Sequence, residues 1–68
     1  MTIEQRFGLR IREIRHRQQL SQEELAFRCA LSKNYISDVE RGTRNISLKV
    51  IEKFAKGLGV APAELFRF

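Results

Sequence analysis

A short segment near the middle of the chain carries polar side chains that could hydrogen-bond to the edges of nucleobases. These are Lys33, Asn34, Ser37, Asp38 and Arg41. A lysine can donate to guanine O6 and N7, an asparagine can pair in bidentate fashion with adenine, and a serine is permissive. The set therefore contains enough chemistry to discriminate between base pairs.

Asp38 is the one acidic member of this set, and a carboxylate is repelled by nearby phosphates. It could accept a hydrogen bond from a cytosine amino group. Alternatively, Arg41 lies three residues further along and could neutralise it on a helix surface. The sequence leaves both roles for Asp38 open.

A helix is expected just before this segment. Ser21 and Glu24 have the spacing of a capping box, in which the serine hydroxyl and the carboxylate each accept a hydrogen bond from a free backbone N–H. Leu25 and Cys29 give the following residues one apolar side. The pattern predicts a helix over residues 22–29.

The polar segment itself is predicted to be the next helix, over residues 33–41. Ser32 is a suitable N-cap, and Gly42 supplies a left-handed C-terminal stop. Ile36 and Val39 form an inward edge, so the ~100° step of a helix turns the polar side chains outward. This arrangement is typical of a helix-turn-helix, whose second helix fits the ~12 Å major groove of B-DNA.

Three further helices complete an all-α prediction of five helices in one domain, residues 1–68, with the helix-turn-helix at about 22–41. They are an amphipathic first helix over residues 4–18 with a basic outer face, a fourth helix opened by Ser47 and ended by Gly57 and Gly59, and a short fifth helix over residues 63–66. In the fourth helix, Leu48, Ile51 and Leu58 are expected to share the inward face.

Composition limits the function and the compartment. The 13 Lys and Arg residues exceed the 8 Asp and Glu residues, and the formal charge of +5 suits an anionic polymer. One cysteine and one histidine allow neither an internal disulfide nor a zinc site, so a reducing, cytoplasmic location is expected. The sequence indicates no cofactor, no metal, no small-molecule ligand, no membrane span and no catalytic constellation.

Four motifs carry a family resemblance over residues 9–66. They are L-S-Q-E-E-L-A, L-S-x-x-Y-I-S-x-x-E-R-G, R-N-x-S-L and L-G-V-x-x-x-E-L-F. Together they closely resemble the Cro and phage-repressor-like helix-turn-helix regulators, the XRE family, and among these the controller proteins of restriction-modification systems. The resemblance implies a lambda-repressor-like domain that regulates transcription. As a homodimer it would bind a near-palindromic double-stranded DNA operator, with residues 33–41 in the major groove.

The resemblance also implies roles for individual residues. By the resemblance, Gln22 at the start of its helix contacts phosphate or an adjacent base, Lys33, Asn34, Ser37 and Asp38 face the groove, and Tyr35, Arg44 and Asn45 lie on the flank near the DNA backbone. Arg41, which the helical step turns outward, completes the predicted DNA-binding set. Candidates for core or dimer interface are Phe54, Leu58, Leu65, Phe66 and Phe68.

Two expectations concern the scaffold. Ala30 stands in the turn where the family commonly has glycine, and a left-handed conformation there costs a non-glycine residue roughly 1 kcal/mol. Glu40 lies in the last turn of its helix, where a carboxylate opposes the helix dipole unless it is paired. A salt bridge from Glu40 to Arg10 or Arg15 is therefore expected.

The alternative function is a protein-interaction module of the same fold, such as an antitoxin-type partner. A protein-binding face should carry aromatic and large apolar side chains at its centre. Lys33, Asn34 and Ser37 are polar instead, which favours the DNA-binding interpretation.

Overall fold

Four α-helices and one short 3₁₀ helix make up the chain, and no strand is present. They are α1 (Ile3–Arg17), α2 (Gln22–Cys29), α3 (Lys33–Arg41), α4 (Leu48–Leu58) and the 3₁₀ helix (Pro62–Phe66). The computed structural model describes all 68 residues, Met1–Phe68. The all-α prediction is confirmed. The fifth helix is a 3₁₀ helix and not an α-helix, because its hydrogen bond joins residues three positions apart. The N–H of Glu64 donates to the carbonyl of Ala61 at 2.9 Å.

Each α-helix begins after a serine or threonine whose hydroxyl accepts a hydrogen bond from the backbone N–H three residues on. These N-caps are Thr2, Ser21, Ser32 and Ser47. At the second of them, the backbone N–H of Ser21 also donates to Glu24 Oε1 at 2.8 Å. That hydrogen bond lowers the pKa of the Glu24 carboxyl below its ordinary value of 4.5. The predicted bounds of α2 and α3 are confirmed.

Left-handed residues end three of the helices. They are Ala30 after α2, Gly42 after α3 and Gly59 after α4. Gly57, expected to help end α4, instead lies inside it and is buried against the Sγ of Cys29. Burial raises the pKa of the Cys29 thiol from 9.0 to about 11.

The core lies where α1 packs on α3, α2 packs on α3 and α4, and the 3₁₀ helix packs on α1 and α4. Phe54, Leu58 and Leu65 are buried in this core, so they are core residues and not part of a surface interface. The prediction for Leu48 was wrong in the opposite direction. It was expected to face inward, but it is 84% exposed, because it is the first residue of α4 and the core packs against Val50 and Ile51 of that turn instead.

The outer face of α1 is basic as expected, with Arg6, Arg12 and Arg17 exposed. Arg10 and Arg15 do not belong to this face, because both are buried. Arg10 donates from Nε to the Glu64 carbonyl at 2.9 Å and from Nη1 to Glu13 at 2.7 Å. These contacts supply hydrogen-bond acceptors to the buried guanidinium, and the contact with Glu64 links α1 to the 3₁₀ helix.

The backbones of α1 and α3 approach each other closely at Gly8. A Cβ atom at this position would collide with the carbonyl oxygens of Val39 and Glu40. A glycine therefore allows the C-terminal half of α3 to rest directly on α1. None of the helices combines the length and the apolar composition that crossing a bilayer requires.

Candidate nucleic-acid interface

The orientation of α3 is set by two apolar side chains. Ile36 is 0% exposed and Val39 is 2% exposed, and both lie in the core. Because the two lie on one side of the helix, the remaining side chains point outward or lie on its flanks. The predicted inward edge of α3 is confirmed, and its opposite face is open to solvent.

The turn between α2 and α3 has the strained conformation that was expected. Ala30 adopts φ 55° and ψ 43°, in the left-handed region. This lets the N–H of Leu31 return to the carbonyl of Ala26 at 2.9 Å. Leu31 then packs against the core. The hydrogen bond and the burial of Leu31 together fix the angle between α2 and α3.

A buried polar cluster joins α1, α2 and α3. Arg15 donates from Nε to Glu40 Oε2 at 2.7 Å and from Nη2 to Glu40 Oε1 at 3.0 Å. Its Nη1 donates to the Leu20 carbonyl at 2.8 Å. Glu40 Oε1 also accepts from Gln22 Nε2 at 3.1 Å. The expected salt bridge of Glu40 is thus made with Arg15, and Gln22 is held at the start of α2.

The side chains of Ser37 and Asp38 bind the Arg41 guanidinium on the outer face of α3. Its Nη1 donates to Ser37 Oγ at 2.6 Å, and its Nη2 is paired with Asp38 Oδ1. Of the two roles left open for Asp38, the structure shows the intramolecular one, in which Arg41 neutralises the carboxylate.

A second arginine reaches the same carboxylate from the loop after α3. Arg44 donates from Nε and Nη2 to Asp38 Oδ2, each at 3.2 Å. Its guanidinium carbon lies 4.8 Å from the centre of the Tyr35 ring, a cation–π contact. Thr43 Oγ1 donates to the Asp38 carbonyl at 3.1 Å and holds the start of this loop.

Sequence reasoning missed this second arginine contact. It placed Arg44 on the flank but did not pair it with Asp38, because the two residues lie six positions apart. The sequence signal that could have indicated the contact is Gly42. A glycine after a helix commonly adopts a left-handed conformation, here with φ 77°, which turns the chain so that Arg44 lies beside α3.

The remaining predicted DNA contacts are open to solvent. Lys33 and Asn34 are exposed in the first turn of α3, outside the arginine network. Asn45 is exposed beside Arg44. Because the N-terminus of a helix carries partial positive charge, this end of α3 favours anions such as phosphate. Across the outer surface of α3 and its following loop, the carboxylate of Asp38 is contacted by two cations, Arg41 and Arg44, and Lys33 adds a third, separate positive charge.

An apolar surface adjoins this face on the side of α4 and the chain termini. Ile3, Ile46, Ile51 and Phe66 line a cleft of about 150 Å³, which Arg44 and Asn45 also border, and Leu48 is exposed on the same helix as Ile51. We call the five apolar residues the apolar patch. Of the five residues predicted for core or interface, Phe66 and Phe68 are the two that are exposed.

The side chains of the chain do not assemble a metal site. No three histidine, cysteine, aspartate or glutamate residues lie close enough together to hold a metal ion.

Comparison with known proteins gives consistent matches. Residues 11–65 match the protein family described as Helix-turn-helix. The chain is similar to the control protein C.BamHI of Bacillus amyloliquefaciens, with 56% identity over 63 residues that cover 91% of this chain and 78% of that protein. It is also similar to the control protein C.MunI of Mycoplasma sp, with 42% identity over 62 residues that cover 90% and 84%.

A solved structure agrees with these matches. The restriction-modification controller protein C.AhdI from Aeromonas hydrophila superposes with a TM-score of 0.91 at 49% identity, covering 93% of this chain and 96% of that one. The three relatives are named as control or controller proteins, and none is named as an enzyme.

Proposed function

The chain belongs to the XRE-type helix-turn-helix family, and on that premise we propose that it is a sequence-specific DNA-binding transcription regulator of the restriction-modification controller type. The observation that carries the proposal is the outer face of α3. It is anchored from behind by Ile36 and Val39 and presents Lys33 and Asn34 unpaired in its first turn. Exposed donors of this kind can exchange their hydrogen bonds to water for hydrogen bonds to base edges.

In the proposed complex, α3 lies in the major groove and the positions of its first turn contact bases. Lys33 donates to guanine and Asn34 pairs with adenine, because these are the contacts their geometry favours. Gln22 lies at the start of α2, where free backbone N–H groups and the helix dipole attract a phosphate. Arg44 and Asn45 contact the DNA backbone on the flank.

The size of the chain supports binding as a homodimer, and we place this activity in the cytoplasm. Its longest dimension is 27 Å, whereas successive major grooves on one side of B-DNA lie ~34 Å apart. One copy therefore cannot place a helix in both grooves. Two copies related by a twofold axis would read a near-palindromic operator.

We assign the dimer contact to the apolar patch of Ile3, Ile46, Leu48, Ile51 and Phe66. The variant Leu48→Glu is expected to be a monomer in sedimentation experiments and to lose most of its DNA affinity. Phe27→Glu is the matched control, because Phe27 is 88% exposed but lies on α2. A dimer that survives Leu48→Glu would contradict this assignment.

The main test is selection of bound fragments from a library of random duplex DNA. We expect a consensus with twofold symmetry and half-sites about one helical turn apart. Affinity for that duplex should fall steeply as salt is raised, because phosphate contacts release counterions. Absence of any enriched duplex, with a stoichiometric protein partner captured instead, would favour the protein-interaction alternative.

A further inference from the structure

The carboxylate of Asp38 lies beneath the two guanidinium groups that it binds. Its side chain is 25% exposed, whereas the side chains of Arg41 and Arg44 are 60% and 50% exposed. Both carboxylate oxygens are occupied, Oδ1 by Arg41 and Oδ2 by Arg44. A ligand that approaches this face therefore meets the arginines before it meets the carboxylate.

The contacts leave donor groups free on both arginines. Arg44 uses the edge formed by Nε and Nη2 for Asp38, so its Nη1 group has no partner in the ion pair. Arg41 uses Nη1 and Nη2 once each, and its Nε–H points to neither Ser37 nor Asp38. Since a guanidinium carries five N–H donors, each arginine can bind Asp38 and DNA at the same time.

We infer that Asp38 is a positioning residue for DNA recognition, which acts by holding Arg41 and Arg44 in their binding geometry rather than by contacting a base. This inference rests on the proposed function. The carboxylate already accepts three N–H groups from the two arginines, so a cytosine amino group would have to share it with them. Holding two long side chains in place before binding reduces the conformational entropy that DNA binding would otherwise remove.

The negative charge of Asp38 also has an opposite effect, because it repels phosphates on any DNA sequence. Replacing it with the isosteric, neutral asparagine removes the charge and one of the two acceptor atoms, so it abolishes the repulsion and weakens the positioning together. Loss of the repulsion should strengthen binding to all duplexes alike. Loss of positioning should weaken binding only to the specific duplex, where Arg41 and Arg44 have defined contacts to make. The preference for the specific duplex over an unrelated one is therefore the quantity that separates the two.

The experiment compares Asp38→Asn with Glu52→Gln, which makes the same charge change at an exposed position on α4. The two probes are the duplex selected by the wild-type chain from a random library and a scrambled duplex of equal length and base composition. For Asp38→Asn we expect the preference for the selected duplex to fall about tenfold, the effect of leaving two arginines mobile. For Glu52→Gln the preference should stay unchanged.

A double-mutant cycle and a spectroscopic signal show whether Asp38 acts through Arg44. In an Arg44→Ala background, Asp38→Asn should lower the preference by a much smaller factor, since one of the two held arginines is already absent. The chain has one tyrosine and no tryptophan, so fluorescence excited at the tyrosine band reports on Tyr35 alone. Asp38→Asn should change this signal in the free protein as Arg44 leaves the ring, and Glu52→Gln should not.

The outcomes distinguish the inference from the function on which it rests. A wild-type chain without preference for any duplex would overturn both. A wild-type chain with a preference that Asp38→Asn retains would overturn only the positioning role, as would an undiminished effect of Asp38→Asn in the Arg44→Ala background.

Discussion

Arg15 and Glu40 form a two-point ion pair between α1 and α3, with N–O distances of 2.7 Å and 3.0 Å. Their side chains are 9% and 5% exposed, so the pair lies almost entirely out of water. The same carboxylate accepts a hydrogen bond from Gln22. One buried charge pair thus fixes the C-terminal end of α3 and orients a side chain at the start of α2.

Removing the carboxylate should destabilise the fold strongly. Glu40→Ala leaves the Arg15 guanidinium buried without its partner, a situation that costs about 3 kcal/mol or more. We expect the free energy of unfolding, measured by urea denaturation, to fall by about that amount. Glu52→Ala, which removes an exposed carboxylate, is the control and should change the midpoint little. Equal midpoints for the two variants would contradict a structural role for the pair.

Substitutions on α3 and at the start of α2 should separate base contacts from phosphate contacts. Lys33→Ala and Asn34→Ala should each cost about 1 to 3 kcal/mol of binding free energy and relax selectivity at one base pair. Gln22→Ala should weaken binding to every sequence alike, because a phosphate carries no sequence information. Titrations against a set of single-base-pair variants of the selected duplex measure both effects. Uniform losses for all three variants would contradict the assignment of roles.

Glycine at position 30 should stabilise the turn. The left-handed conformation of Ala30 costs about 1 to 2 kcal/mol, whereas the extra freedom of glycine in the unfolded chain costs about 0.4 to 1 kcal/mol. The first effect is larger, so Ala30→Gly should raise the free energy of unfolding by about 0.5 kcal/mol. Ala61→Gly is the matched control. Ala61 has an ordinary φ of −67°, so glycine relieves no strain there and should lower the free energy of unfolding. A loss of stability at both positions would show that Ala30 is not strained.

Alanine at position 57 should destabilise α4 even though alanine favours helices. The propensity gain is about 1 kcal/mol, but a Cβ atom at Gly57 would collide with the Sγ of Cys29. Overpacking a filled core costs about 1 to 3 kcal/mol, so Gly57→Ala should lose about 1 kcal/mol in thermal unfolding. Pairing it with Cys29→Ala should recover part of the loss. If the two losses simply add, the collision is not their cause.

Much of the fold could be predicted because its signals are local. The caps at Ser21 and Ser32 and the stop at Gly42 lie within a few residues of the helix ends that they define, and the predicted bounds of α2 and α3 are confirmed. Gly57 was wrongly predicted as a stop. Its role depends on the Cys29 side chain of a distant helix, which no local pattern contains.

The same distinction applies to the candidate site. The inward turn of Ile36 follows from helical spacing, and it leaves the polar face outward. The contact between Asp38 and Arg44 depends on how a loop returns after a left-handed glycine, and spacing along the chain does not encode it. Burial of Arg10 and Arg15 likewise depends on carboxylate and carbonyl partners supplied by other segments.

The close approach at Gly8 has an evolutionary consequence. Since α3 is seated on α1 by backbone contact and by its inner side chains, its solvent-facing positions take no part in holding it there. Descendants of this chain can therefore exchange those outer residues while the framework stays intact. Under the proposed function, such exchanges would alter the DNA sequence that is bound without a cost to the architecture.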